Sequence, residues 1–148
     1  MSTSSVWKFR ATFFATILAA GSISSTLYGQ AGGAVLQAAV PFPFVCGTQH
    51  YAAGVYAVHM QNEHVALIQG DARSGFAVTE RVHDLQPVRK GKFVFRRYNS
   101  KYFLDEVWSP GMTSHLHYVK SKAQKKEELA SKGSFPTEVQ VALLQTPR

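Results

Sequence analysis

The sequence predicts an all-β fold, sandwich-like or a small open barrel of about seven strands, with one C-terminal α-helix. Short alternating segments recur about every ten residues and are separated by turn residues, which is typical of such folds. Residues 92–108 contain two aromatic-rich runs around a short polar turn, which predicts a β-hairpin. Near the C-terminus, one stretch is rich in helix formers and has no β-branched residue. A chain of 148 residues has room for one such domain.

The first 31 residues have the three-part pattern of a secretory signal peptide. Lys8 and Arg10 precede a short uncharged apolar run at residues 11–20, and Gly29 and Ala31 are small at the positions that a signal peptidase reads. The alternative is a membrane anchor, but a span needs roughly 20 apolar residues, and polar residues dilute this run too early. We therefore predict cleavage after Ala31, export to the periplasm or beyond the cell, and no membrane span in the mature chain.

The rest of the chain is basic and lacks the cysteines for a disulfide framework. It has 14 Lys and Arg against 9 Asp and Glu, a net charge of +5. This balance bears on solubility and on weak attraction to anionic surfaces, not on the fold. Cys46 is the only cysteine, so folding must rest on a hydrophobic core. We interpret Cys46 as a small buried residue in a strand, with a reactive thiol or an intermolecular disulfide as the alternative.

The mature chain begins with a segment that has little capacity to fold by itself. Residues 32–39 are small and Ala-rich, which predicts a flexible arm before a single β-rich domain at residues 40–148. The first strand of that domain, residues 40–46, places alternate apolar residues on one side. Pro41 and Pro43 occupy positions between them, and because proline cannot donate to a ladder, we predict an edge strand here.

The middle of the chain alternates between apolar runs and turn residues. Residues 55–60, 64–69 and 75–82 are predicted as strands, with turns rich in Gly, Asn, Asp and Ser between them. The hairpin at residues 92–108 follows, and its turn is predicted around Asn99 and Ser100.

The C-terminal region is predicted to contain the helix and one further segment. The helix lies near residues 118–132, and its strongest helix formers occupy residues 121–132. Ser121 is the expected N-cap, and Gly133 suits the end of the helix. Its apolar positions are few, so we expect a largely solvated helix. Residues 139–144 form either a closing strand or a docked tail.

Short motifs run through the mature chain up to the Lys/Glu-rich helix. They are Phe42-x-Phe44, Ala53-Gly54-x-Tyr56-x-Val58, Phe95-x-x-Tyr98, Tyr102-Phe103-Leu104 and Val107-Trp108. This pattern resembles small exported proteins of uncharacterised activity from soil bacteria, notably the acidobacteria. Those proteins usually carry Pro-Ala-Gly where this chain has Ala52, Ala53 and Gly54. The resemblance implies export and a β-rich fold, and it implies no catalytic residue.

The candidate metal ligands are His115 and His117. Their spacing would place both imidazoles on one side of a strand. A metal site needs at least a third ligand with oriented partners, and no HExxH or similar spacing occurs. We interpret both as surface histidines. The alternative is a small metal-dependent or hydrolytic enzyme that uses His115 and His117.

Asp105 and Glu106 are candidate carboxylates for acid–base chemistry. Adjacent residues on a regular strand point to opposite faces, so we expect that these two do not act as a pair. One of them is expected to pair with Arg96 or Arg97 across the hairpin.

Six basic residues between positions 89 and 101 are interleaved with aromatic residues and form a candidate anion-binding stretch. They are Arg89, Lys90, Lys92, Arg96, Arg97 and Lys101. Basic groups beside aromatic residues on a sheet can bind single-stranded nucleic acid. Export argues against an intracellular nucleic acid, and alternation places Phe93 and Phe95 in the core. We interpret the stretch as a solvated basic face, with an anionic polymer as the alternative partner.

These observations predict an exported, non-enzymatic β-domain with a binding or structural role at the cell envelope. We find no Gly-x-Ser-x-Gly elbow, no GxGxxG motif and no phosphate-binding loop in the sequence. We predict no cofactor, and the expected partner is an envelope component or an anionic polymer.

Overall fold

The computed structural model describes residues 35–131 and 133–144, within which it contains ten strands and one helix. They are β1 (Leu36–Val40), β2 (Phe44–Cys46), β3 (Gln49–Tyr51), β4 (Gly54–Asn62), β5 (Val65–Gly70), β6 (Ser74–His83), β7 (Lys92–Tyr98), β8 (Lys101–Trp108), β9 (Ser114–Tyr118), α1 (Lys122–Ala130) and β10 (Thr137–Ala142). The predicted all-β fold with one C-terminal helix is confirmed, with more strands than the expected seven. The predicted signal peptide at residues 1–31 lies outside the described residues.

The strands form one ten-stranded sheet that is almost wholly antiparallel. Eight strands follow one another in the order β1-β4-β5-β6-β9-β8-β7-β10, while β2 and β3 branch from β8. The two ends of this series meet, because Ala38 bridges to Leu143 and the Leu144 N–H donates to the Gln37 carbonyl at 2.7 Å. The eight strands therefore curl into a ring, the barrel-like form of the predicted fold.

Alternation along the strands places one face of each in a shared core. In β1, Leu36, Ala38 and Val40 are buried and the residues between them are exposed. The expectation of a flexible arm at residues 32–39 is therefore wrong for residues 36–39. These residues pair with Val55–Val58 of β4 in antiparallel register, and the side chains of Leu36 and Ala38 lie in the core with Val58 and Tyr56.

The predicted edge strand at residues 40–46 is divided in the structure, and its second part is not an edge strand, because β2 lies between β3 and β8. β1 ends at Val40 and β2 begins at Phe44, and Pro41 and Pro43 lie in the break between them. A proline lacks the N–H that a continuous ladder needs, so the break falls at the prolines. The predicted apolar side is confirmed, because Phe42 packs against the core that contains the other alternate residues.

Strand β6 buries a different face from the one its apolar residues suggest. Phe76 and Val78 are exposed, at 67% and 58%, whereas Ala77 and Thr79 are buried. The pairing decides this face, because Ala77 lies opposite the buried Ala66 of β5. A shift of one residue would exchange the two faces of the strand.

The predicted C-terminal helix is confirmed, but it is shorter than residues 118–132, because it spans Lys122–Ala130 and Tyr118 belongs to β9. The Ser121 side chain caps α1 by accepting a hydrogen bond from the Gln124 N–H at 3.2 Å, and Gly133 has a positive φ of 85°. Leu129 is exposed, as expected for a largely solvated helix. Residues 139–144 belong in part to a closing strand, since β10 pairs with β7.

An aromatic cluster fills the end of the ring at which β4 begins. Phe44 stacks on Tyr51 and meets Tyr56 and Phe95 edge to face, with ring centroids 5.0 to 5.3 Å apart. Each such pair contributes about 0.5–1.5 kcal/mol beyond its buried area. A Cβ at Gly70 would lie 2.4 Å from the Tyr56 ring, so only glycine fits beside this cluster.

Candidate functional site

A cavity of about 250 Å³ opens at the end of the ring opposite the aromatic cluster. Six apolar side chains line it: Leu36, Val58, Met60, Val107, Met112 and Leu116. Its position follows from β4, in which Tyr56 belongs to the aromatic cluster and Val58 and Met60 line the cavity. Five of the six lie on core-facing positions of strands, while Met112 comes from the loop after β8 and is half exposed. The cavity is therefore an open continuation of the core.

Four polar residues complete the lining of this cavity. They are Arg81, Ser109, Ser114 and His115. Arg81 follows the buried Thr79 at the alternate position of β6 and lies directly opposite Leu116 of β9. Directly opposed residues of an antiparallel pair share a face, so Arg81 lies on the inner face at the open end.

The size of the cavity limits what it can hold. Pockets for drug-sized ligands span roughly 300–1,000 Å³ and are mostly apolar with a few polar groups. At about 250 Å³, this cavity lies just below that range and has the same kind of lining. It therefore fits a small molecule and excludes a polymer from its interior.

A β-bulge organises a second group of polar residues on the outer face of the sheet. The register between β7 and β8 shifts between Val94 and Phe95, which leaves Asp105 as an extra residue of β8. Arg96 consequently reaches both adjacent carboxylates: its Nε is 2.8 Å from Asp105 Oδ2, and its Nη2 is 3.8 Å from Glu106 Oε1. The expectation that alternation separates the two carboxylates is wrong, and the predicted pairing with Arg96 is confirmed.

The Arg96 guanidinium is paired with several carboxylates. The hydrogen bond with Asp105 raises the pKa of the Arg96 guanidinium, burial opposes the rise, and the charges of Asp105, Glu138 and Glu106 add to it. Glu138 Oε2 of β10 is 3.5 Å from Arg96 Nη1. Three carboxylates therefore surround this guanidinium and neutralise its charge.

The two predicted metal ligands alternate with the core residue Leu116 on β9 and engage different neighbours. His115 is buried, so its interpretation as a surface histidine is wrong. His115 Nδ1 is 2.7 Å from Asp84 Oδ2, and the His115 ring stacks on Trp108 with centroids 4.0 Å apart. His117 Nε2 is 3.8 Å from Asp105 Oδ1. Within the described residues, no three His, Cys, Asp or Glu side chains are grouped so as to hold a metal ion. The metal site at His115 and His117 stays a prediction.

The basic residues of positions 89–101 differ in their surroundings. Lys92 Nζ lies 5.5 Å from the centroid of the Trp108 ring, and Lys101 forms an ion pair with Glu127 of α1. Three exposed residues have no carboxylate within 4.0 Å in the described part of the chain: Arg89, Lys90 and Arg97. The anion-binding stretch stays a prediction, and these three residues are its remaining support.

Cys46 is a buried residue of β2, as the sequence predicts. Burial raises the pKa of its thiol far above the ordinary value, which outweighs a hydrogen bond from the Gly47 backbone. A thiol in this environment stays protonated, and the thiolate is the reactive form. Cys46 therefore serves in core packing and supplies no reactive group to the cavity or to the polar residues around Asp105.

No family model, no curated protein and no solved structure matches this chain. The resemblance to exported proteins of soil bacteria therefore stays a prediction. Within residues 35–131 and 133–144, no helix has the length and apolar character that crossing a bilayer requires.

Apart from His115, sequence reasoning did not identify the residues around the cavity. Met60 and Met112 are far apart in the chain, and only the curvature of the sheet brings them together. In the sequence, Arg81 looks like a solvent-facing residue beside the apolar Val82. Its position two residues after Thr79 places it on the inner face only once Thr79 is known to be buried.

Proposed function

We propose that this chain is an exported, non-enzymatic β-domain that binds a small, largely apolar ligand in the cavity beside Met60 and Met112. The observation that carries the proposal is the open cavity of about 250 Å³ continuous with the core. An apolar recess that is open to solvent favours an apolar ligand, because the ligand removes apolar surface from water. The lining of six apolar and four polar residues is the usual composition of a small-molecule site.

The position of the charged groups supports binding rather than catalysis. The carboxylates of Asp105 and Glu106 lie on the outer face and are engaged by Arg96. The residues that line the cavity include neither a carboxylate nor a cysteine within the described ranges. Histidine and serine can also act as base and nucleophile, and His115, Ser109 and Ser114 line the cavity, but among the side-chain hydrogen bonds of the described residues none joins either serine to His115.

The leader pattern of residues 1–31 supports an envelope location, in the periplasm or outside the cell. There the protein would carry or retain a small apolar molecule, and the basic balance of the mature chain would favour contact with anionic envelope components. The exposed residues Arg89, Lys90 and Arg97 are the groups for such contact, and an anionic polymer bound by them would dissociate as salt is added.

The methionines provide a direct test of the cavity. The chain has three of them, and Met60 and Met112 both line the cavity. Protein labelled with 13C at the methionine methyl groups is titrated with n-hexanol, and the two signals are assigned with Met60→Leu and Met112→Leu. We expect both signals to shift together and to saturate at millimolar concentration or below.

A cavity-filling substitution gives the matched control for this titration. Val58→Phe places a ring in the cavity and should abolish the shifts, whereas Val78→Phe adds the same volume on the outer face and should leave them intact. Signals that respond neither to n-hexanol nor to n-hexanoate and n-hexylamine in the unmodified protein would exclude the proposed function.

A further inference from the structure

We propose that the ligand of this cavity is a short aliphatic carboxylate whose anionic group pairs with Arg81. This inference rests on the proposed function of the cavity and adds the chemical class of its occupant. The apolar wall accepts the aliphatic chain, and the polar groups at the open end accept the charge. The arrangement orients the ligand with its chain toward the core and its carboxylate toward solvent.

The placement of Arg81 is the first step of the argument. The inner face of β6 carries Ala77 and Thr79, both buried, and Arg81 is the next residue in that series. Its partner across the ladder, Leu116, belongs to the hydrophobic core and lines the cavity. A guanidinium is thus held at the rim of an apolar space, where a long side chain can keep its charged end hydrated.

The second step is that the charge of Arg81 is not neutralised by the protein. No carboxylate of the described residues lies within 4.0 Å of its guanidinium. Arg96 and Lys101, by contrast, are both paired with acidic residues. The nearby acidic residue Asp84 is engaged with His115, which leaves Arg81 available to a ligand.

The third step concerns the shape of the anionic group. A guanidinium presents a planar fork that matches both oxygens of a carboxylate, and Ser109 and Ser114 supply hydroxyl donors in the same lining. One water occupies about 30 Å³ in the liquid, so 250 Å³ accommodates on the order of eight atoms of that size. A carboxylate with a chain of about five or six carbons meets both conditions.

The test compares n-hexanoate, n-hexanol and n-hexylamine, which share a chain and differ in charge. Binding of each to the full protein is followed through the methyl signals of Met60 and Met112. We expect hexanoate to bind about tenfold more tightly than hexanol and hexylamine to bind most weakly, because a hydrogen bond to a charged group is worth about that factor. In Arg81→Gln, the affinities for hexanoate and hexanol should agree within about twofold.

Arg73→Gln is the matched control, because Arg73 is exposed, lies outside the cavity lining and has no carboxylate within 4.0 Å among the described residues. This variant should retain the preference for hexanoate. If the preference is lost in this variant, it arises from overall charge and the inference is overturned. Equal affinities for hexanoate and hexanol in the unmodified protein would also overturn it, while the proposed function would stand. If none of the three compounds shifts the signals, the proposed function itself fails.

A measurement on the unmodified protein avoids any effect of substitution on folding. Raising the ionic strength from about 0.05 M to about 0.5 M screens an exposed ion pair and leaves apolar burial in place. The affinity for hexanoate should fall severalfold while that for hexanol stays constant. A hexanoate affinity that does not respond to salt would contradict pairing with Arg81.

Discussion

Asp105 and Arg96 form a hydrogen-bonded ion pair across the β7–β8 hairpin, with Nε and Oδ2 2.8 Å apart. Asp105 is only 3% exposed, whereas about a third of the Arg96 side chain reaches solvent. A buried carboxylate is costly unless it is paired and hydrogen-bonded. The bulge at Asp105 therefore depends on Arg96 for compensation of its charge.

Arg96→Met should lower the free energy of unfolding by about 2 kcal/mol. The substitution leaves the Asp105 carboxylate buried without its main partner, and the exposure of Arg96 keeps the loss below that of a fully buried pair. Urea denaturation followed by fluorescence measures the change. Arg97→Met, at the neighbouring exposed position, should change stability by less than about 0.5 kcal/mol. Equal losses in the two variants would contradict the assigned role of Arg96.

Phe76→Ser should lower stability by less than about 1 kcal/mol, although it removes a large aromatic side chain. Phe76 is exposed on the outer face of β6, so little apolar surface returns to water. Ile68 in the adjacent strand is fully buried, so Ile68→Ala should lower the free energy of unfolding by about 3 kcal/mol. Thermal unfolding of both variants measures the difference. A loss for Phe76→Ser as large as that for Ile68→Ala would show that β6 pairs one residue out of this register.

Thr79→Val should raise the free energy of unfolding by about 1 kcal/mol. The Thr79 hydroxyl is buried and has no hydrogen-bond partner among the described residues, and valine has nearly the same shape without the polar atom. Tyr118 lies opposite Thr79 on β9, and its hydroxyl is in the same situation. Tyr118→Phe should therefore act in the same direction, and chemical denaturation measures both. Destabilisation by either variant would refute this account of the two hydroxyls.

Cys46 should react with an aromatic disulfide reagent only after the protein unfolds. The thiol is buried, and burial raises its pKa, so both access and thiolate formation are suppressed in the folded state. The absorbance of the released thiolate gives the rate with and without guanidinium chloride. We expect at least a hundredfold acceleration on unfolding, in line with the small unfolded fraction of a stable domain. Rapid labelling of the folded protein would place Cys46 at an accessible surface.

Stability should decline as the pH rises from about 10 to about 12. Burial raises the pKa of Tyr51 to about 12 from its ordinary value of 10, and burial also raises the pKa of Tyr118 well above that ordinary value. The folded state thus binds more protons than the unfolded state in this interval, so its stability is complete below pH 10 and is lost as the pH increases. Urea denaturation at a series of pH values measures the slope. Tyr51→Phe should reduce the slope, and an unchanged slope would contradict the contribution of Tyr51.

Local patterns predicted the elements whose structure depends on nearby residues. The hairpin at residues 92–108 forms because two runs rich in aromatic residues flank a short turn at Asn99 and Ser100, and Asn99 has a positive φ of 54°. The helix begins after Ser121 because the cap needs only a side chain three residues from an unpaired backbone N–H. These features require no knowledge of distant segments.

The sequence by itself determined that this is a β-rich chain with one capped helix, a buried Cys46 and a basic surface, because alternation, capping and composition act over a few residues. Tertiary structure decided which face of β6 is buried, how Asp105 and Glu106 both reach Arg96, and that Arg81 stands beside an apolar cavity. Each of these depends on pairing between strands that are distant in the chain, and a shift of one residue in that pairing would reverse the outcome.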